Sequence, residues 1–186
     1  MTTAFRDGTR FALRTATAAC HARVDERFGR LDLSRPEGLG IFLAANHVAL
    51  GVIEPALRRA EGLPSLPSRL SAIEADLGAL GRDVPAGMDG TLDGHDLLGV
   101  AYVVGGSALG GRLLARRRAA SSDPAVRRAG RFMDDPRMMP YWASIQGSLR
   151  SVGPGDARFA RLLAAADATF GIYEAALREV EGDAHE

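Results

Sequence analysis

Apolar residues recur along this chain at three- and four-residue spacing almost from end to end, the period of amphipathic helices. Leu13, Ala16, Cys20, Val24 and Phe28 predict a first helix over residues 9–28. Ser34-Arg35-Pro36-Glu37 has the form of a capping box with proline at the first helical position. It predicts a second helix through Phe42, Val48 and Leu57 to Glu61, with Pro55 expected to kink it near its end. After a turn at 63–67, Leu70, Ile73, Leu77 and Leu80 mark a third helix, and the Gly-, Pro- and Asp-rich stretch 81–94 reads as a surface loop. A glycine-bearing helix follows to about Arg118. Asp123-Pro124 predicts a short helix to Met133, and Pro140 another to Leu149. Gly153-Pro154-Gly155 breaks the chain before a long last helix striped by Phe159, Leu162, Leu163, Ala166, Phe170, Tyr173 and Leu177. The acidic tail, 179–186, is expected to fray. No alternating strand pattern and no repeat appears, so residues 1–186 read as a single all-α domain.

One segment strains that pattern. From Leu97 to Gly111 fifteen residues pass without a charge, and five of them are glycine: Gly99, Gly105, Gly106, Gly110 and Gly111. In a helix interior each costs about 1 kcal/mol relative to alanine, so five cost roughly 5 kcal/mol, comparable to the stability of a modest domain. A missing side chain lets a backbone approach another object closely. The segment is therefore expected to lie against a flat ligand or a second helix.

Composition narrows the setting. Basic and acidic residues number 23 each, so no net field favours nucleic acid or a membrane surface. All the basic positions counted there are arginine. A lone cysteine, Cys20, excludes an internal disulfide framework and suits a reducing compartment. Met1–Asp7 has no apolar secretion core, and the neutral fifteen-residue run is short for a bilayer span. The expectation is a cytoplasmic protein with neither nucleic acid nor membrane as partner.

Among candidate residues, His21 shares a helical turn with Thr17, Val24 and Asp25. Alone it fits either a transition-metal ligand or a core-edge histidine bonded to a backbone carbonyl. No second histidine lies four residues away, so a paired zinc site is unsupported. His47 reads as a satisfied core polar group, His95 as a cap of the glycine-bearing helix, and His185 falls in the tail. The Gly105-Gly106-Ser107-Ala108-Leu109-Gly110 run lacks the spacing of a dinucleotide fingerprint and has no phosphate-loop lysine. Gly106 and Gly110, four apart, could equally serve a close helix–helix contact. Arg116-Arg117-Arg118 reads as a solvated helix end favoured by the dipole, Asp134-Asp135 as a helix end, and Tyr141-Trp142 as core or interface.

Two segments taken together carry more. Leu13-Arg14, Ala16-Thr17, His21 and Asp25 on the first helix resemble the proximal-helix pattern of heme oxygenases. Tyr102-Val103-Val104-Gly105-Gly106-Ser107-Ala108-Leu109-Gly110-Gly111 resembles their distal helix, above all the bacterial, biliverdin-producing form. The separation of the two motifs and the helix order agree with that family over nearly the full chain.

The resemblance implies a heme oxygenase-like helical bundle with heme, both substrate and cofactor, held between the two helices. His21 would be the axial iron ligand. Arg14, Thr17 and Tyr102 would join the heme-binding set, with Arg14 and Tyr102 at propionates. Gly106 and Gly110 would press on the distal face, and with Ser107 would form the catalytic surround. The implied reaction is oxygen- and reductant-dependent cleavage of heme to biliverdin, releasing iron and carbon monoxide. Ferredoxin or a flavin reductase would supply the electrons. Ser107 stands where vertebrate-type members carry an aspartate, and Gly105 where many bacterial members carry a glutamate. A non-catalytic heme-binding or interaction protein on the same fold is the alternative.

Overall fold

The structure, a computed structural model, describes residues 8–183. Among them are eight helices and no strand, as the periodicity predicts. The helix expected over 9–28 is two segments, α1 (Gly8–Ala16) and α2 (Ala18–Gly29), meeting at Thr17. The backbone ladder nearly continues, since Thr17 N–H donates to Leu13 O and His21 N–H to Thr17 O. The Thr17 hydroxyl also donates to Leu13 O, at 2.8 Å. A side chain bonding back one turn favours such a bend, although Thr169 makes the same bond to Ala165 O within the unbroken α8 (Ala157–Asp183).

α3 (Pro36–Arg58) begins at its proline but without the capping box. The Ser34 hydroxyl is taken by Asp32 at 2.6 Å, and Arg35 occupies the cap position with no side-chain bond. The helix passes through Pro55 and stops at Arg58, short of Glu61. Glu54, wholly buried, lies one turn before this end. Its carboxylate accepts from the N–H groups of Arg69 and Leu70, both at 3.1 Å, and from Arg58, so it caps α4 (Leu70–Ala79) from a neighbouring helix.

α5 (Leu97–Ala119) is one helix through all five glycines. Its cap is Asp96 rather than His95: the Asp96 carboxylate accepts from Leu98 N–H and pairs with Arg158 at 2.7 Å. At the other end Arg116 and Arg117 are exposed, but Arg118 turns inward, donating to the carbonyls of Val126 and Arg127 and to Asp134 at 2.7 Å. α6 (Pro124–Arg128) consequently ends well before Met133. The chain beyond it is held by Asp76, whose carboxylate accepts from the N–H groups of Arg131 and Phe132. α7 (Met138–Leu149) starts two residues ahead of Pro140. α8 (Ala157–Asp183) carries helix through the first part of the acidic tail; residues 184–186, including His185, lie outside the described residues.

α3, α5 and α8 form the centre, with α7 across α5 and α4 across α3. The apolar stripe of α8 supplies Leu162, Ala166, Phe170, Tyr173 and Leu177 to this core. α3 and α5 are also long and apolar enough to cross a membrane by length and composition; in the bundle 67% and 44% of those windows are buried. The neutral run in α5 is thus part of a longer apolar helix than the fifteen residues alone suggested.

Candidate functional site

The glycines of α5 divide into two groups by what a Cβ atom would meet. At Gly99 it would collide with the Leu162 carbonyl of α8, and at Gly105 it would stand 2.9 Å from the Trp142 ring. Those two are helix-packing glycines. At Gly106 the nearest atom is the far edge of Trp142, 3.9 Å away, and at Gly110 and Gly111 there is nothing within 4 Å. The Gly106–Gly110 pair therefore makes no close helix–helix contact of the kind seen at Gly99. It faces open space.

That space is a cavity of about 1160 Å³, above the roughly 300–1,000 Å³ typical of small-molecule sites. Arg14, Thr17, His21, Tyr102, Gly106, Ser107 and Gly110 all line it. Every residue singled out for the site in the sequence is brought to one opening, from α1, the Thr17 junction, α2 and the Tyr102–Gly110 part of α5.

His21 is exposed on α2, with its Nδ1 2.8 Å from the Asp25 carboxylate one turn on. The Phe170 ring of α8 meets its edge at a centroid distance of 5.7 Å. The carboxylate fixes the ring orientation and engages Nδ1, leaving Nε2 as the nitrogen able to ligate. No group of three or more His, Cys, Asp or Glu among the described residues could hold a metal ion.

Tyr102 is buried against Trp142, ring centroids 5.8 Å apart. Burial raises the Tyr102 phenol above its ordinary value, against the Thr17 hydroxyl and the charges of Arg14 and Arg10 that favour ionisation. It stays a neutral donor near two guanidinium groups. Arg10, Arg14, Arg112 and Arg116 line the same cavity and have no carboxylate partner among the described residues, whereas Asp25, Asp134 and Asp135 are each paired. The lining therefore suits an anion. The Ser107 hydroxyl donates to the Val104 carbonyl of its own helix at 2.8 Å.

Sequence reasoning missed the inner end of the cavity, where Asn46, Arg69 and Tyr173 face it. Arg69 is buried, pairs with Asp135 at 3.1 Å, donates to Phe132 O at 2.6 Å and lies 4.2 Å from the centre of the Phe132 ring. Burial pushes the Tyr173 phenol up to about 12. Asn46 alone had a signal, as an amide beside His47 within the apolar run of α3. Other expectations need correction. His47 is not fully satisfied: Nε2 meets Glu74 at 3.3 Å, but its buried Nδ1 has no partner. Asp134 and Asp135 lie in the connection between α6 and α7, where they neutralise buried arginines. Trp142 is core, as expected.

In sequence comparisons the chain matches no family model and no curated protein.

Proposed function

We propose that this protein is a heme oxygenase that opens heme to biliverdin. One juxtaposition carries the reading: an imidazole with one nitrogen held by a carboxylate, and a helix backbone stripped of side chains, line the same 1160 Å³ cavity. The residues fit the group. Open space over Gly106, Gly110 and Gly111 suits a flat macrocycle, and unpaired arginines suit its carboxylates.

Heme bound there would be substrate and redox centre at once, consuming dioxygen and electrons from a ferredoxin or flavin reductase and yielding biliverdin, iron and carbon monoxide. The chain's own work is positioning. His21 Nε2 would hold the iron, with Asp25 fixing the ring from behind. Arg14 and the neutral Tyr102 would receive carboxylates, and Thr17, at the α1–α2 bend, keeps Tyr102 in place through its hydroxyl. The bare backbone of Gly106 and Gly110 would leave room for the flat group and restrict where a small molecule can stand beside it. Ser107 has spent its proton on Val104 O, so only its oxygen lone pairs remain to orient water.

That spent hydroxyl favours a second reading, a heme carrier that binds without cleaving. Both are tested by titrating the protein with hemin and then adding ascorbate in air. A Soret band that decays to biliverdin supports the oxygenase; a stable band leaves the carrier; no band removes both. His21→Ala should lose the spectrum that the wild-type protein gives with hemin.

A further inference from the structure

The described residues include five large apolar side chains that are exposed, and three of them, Phe11, Leu109 and Met139, stand on the cavity lining. Phe11 is 69% exposed, more than any other. A fourth, Leu113, lies one turn beyond Leu109 on α5. Clustered exposed apolar groups mark an interaction surface. These are interleaved with cations. On α5, Leu109, Arg112, Leu113, Arg116 and Arg117 follow the spacing of a single helix face, and on α1 Arg10 and Arg14 flank Phe11. Arg112, Arg116 and Arg117 have no carboxylate partner among the described residues.

We infer that this mouth docks on an anionic lipid surface. Charge complementarity selects the occupant. Lipid phosphates can pair with the guanidinium groups, which bind phosphate in a two-pronged manner, while Phe11, Leu109 and Leu113 enter the acyl boundary. A fluid anionic surface needs no shape match to an open rim. The chain is neutral overall, so the attraction is local to this rim and turns it toward the membrane. The inference stands on rim residues and not on the ligand; with the heme reading it adds that an amphiphile could enter from the bilayer.

The test is co-sedimentation of the full chain with vesicles of phosphatidylcholine alone and with phosphatidylglycerol added, at low and high salt. Binding is expected only to the anionic vesicles and is expected to be released by salt. Leu113→Ser with Arg117→Gln should weaken it at least fivefold, since each arginine near such a surface contributes about that factor. Hemin titration of the same variant should be unchanged, separating this inference from the heme reading. Phe11→Ser, at an exposed position, should weaken it independently. Failure to bind anionic vesicles at low salt overturns the proposal, as does undiminished binding by both variants. Cross-linking of the rim to an acidic ferredoxin, with no vesicle binding, would assign the face to a protein instead.

Discussion

At the scale of single residues, the candidate site is a set of side chains whose partners leave one function free. His21 has one nitrogen on Asp25 and the other available. A carboxylate behind a metal-binding imidazole is worth roughly 10–100-fold in affinity, so Asp25→Asn should weaken hemin binding by about that factor without altering the circular dichroism of the exposed α2. An unchanged hemin titration would mean that the Asp25 carboxylate does not support the His21 ring in binding. Tyr102 is held protonated by burial. The His47–Glu74 pair, with its orphan Nδ1, is an imperfect contact between α3 and α4 and has no part in the cavity.

At the scale of elements, α5 carries the contrast. Gly99 packs against α8 and Gly110 faces space, so the same substitution should act oppositely at the two positions. Gly110→Ala adds a methyl group in open space and should stabilise the free protein by up to about 1 kcal/mol. That is a rise in melting temperature of roughly 2–4 °C for a chain of this size, while hemin binding or turnover falls. Gly99→Ala drives a methyl group into the Leu162 carbonyl and should destabilise by about 1–3 kcal/mol. Thermal melts of the two variants, with and without hemin, check both signs. Equal stabilisation at the two sites would remove the packing distinction. Retention of full hemin affinity in Gly110→Ala would remove the idea that bareness serves a ligand.

At the scale of the whole molecule, buried polar joints fasten the 129–137 connection to α4 and α5, and that connection lines the cavity through Phe132 and Met133. Asp135 is the joint that pH reaches. Hydrogen bonds from Arg137 hold its carboxyl below the ordinary range, although burial opposes them, with the charges of Arg137 and Arg69 adding to the effect. A carboxylate lowered in the folded state contributes stability above its unfolded value and loses it as pH falls through the folded one. Asp135→Asn leaves Arg69 buried without a counter-charge and should cost about 3 kcal/mol near neutral pH in urea unfolding. The gap between variant and wild type should narrow below about pH 4. Asp76 runs the other way, since burial raises it against the hydrogen bonds of Phe132 and Arg131. A gap that stays constant down to strongly acidic pH would mean that Asp135 is not linked to folding in this way.

The helical class, the order of helices and the identity of the glycine-bearing segment were all legible in the periodicity, because an apolar stripe needs only local spacing to be read. The cavity-lining set Arg14, His21, Tyr102 and Gly106 was legible too, but only through two motifs met in order. The breaks were not legible. The turning inward of Arg118 and the capping of α4 by Glu54 depend on hydrogen bonds to atoms whose position no local pattern encodes, and the break at Thr17, though its bond to Leu13 O is local, leaves no mark in the apolar stripe. Nor could the sequence sort five glycines into those that pack and those that face space, or gather Asn46, Arg69 and Tyr173 at one end of a cavity. Local chemistry fixes which segments become helices, whereas the approach of distant surfaces decides which groups are left without a neighbour, and it is those groups that can meet a ligand.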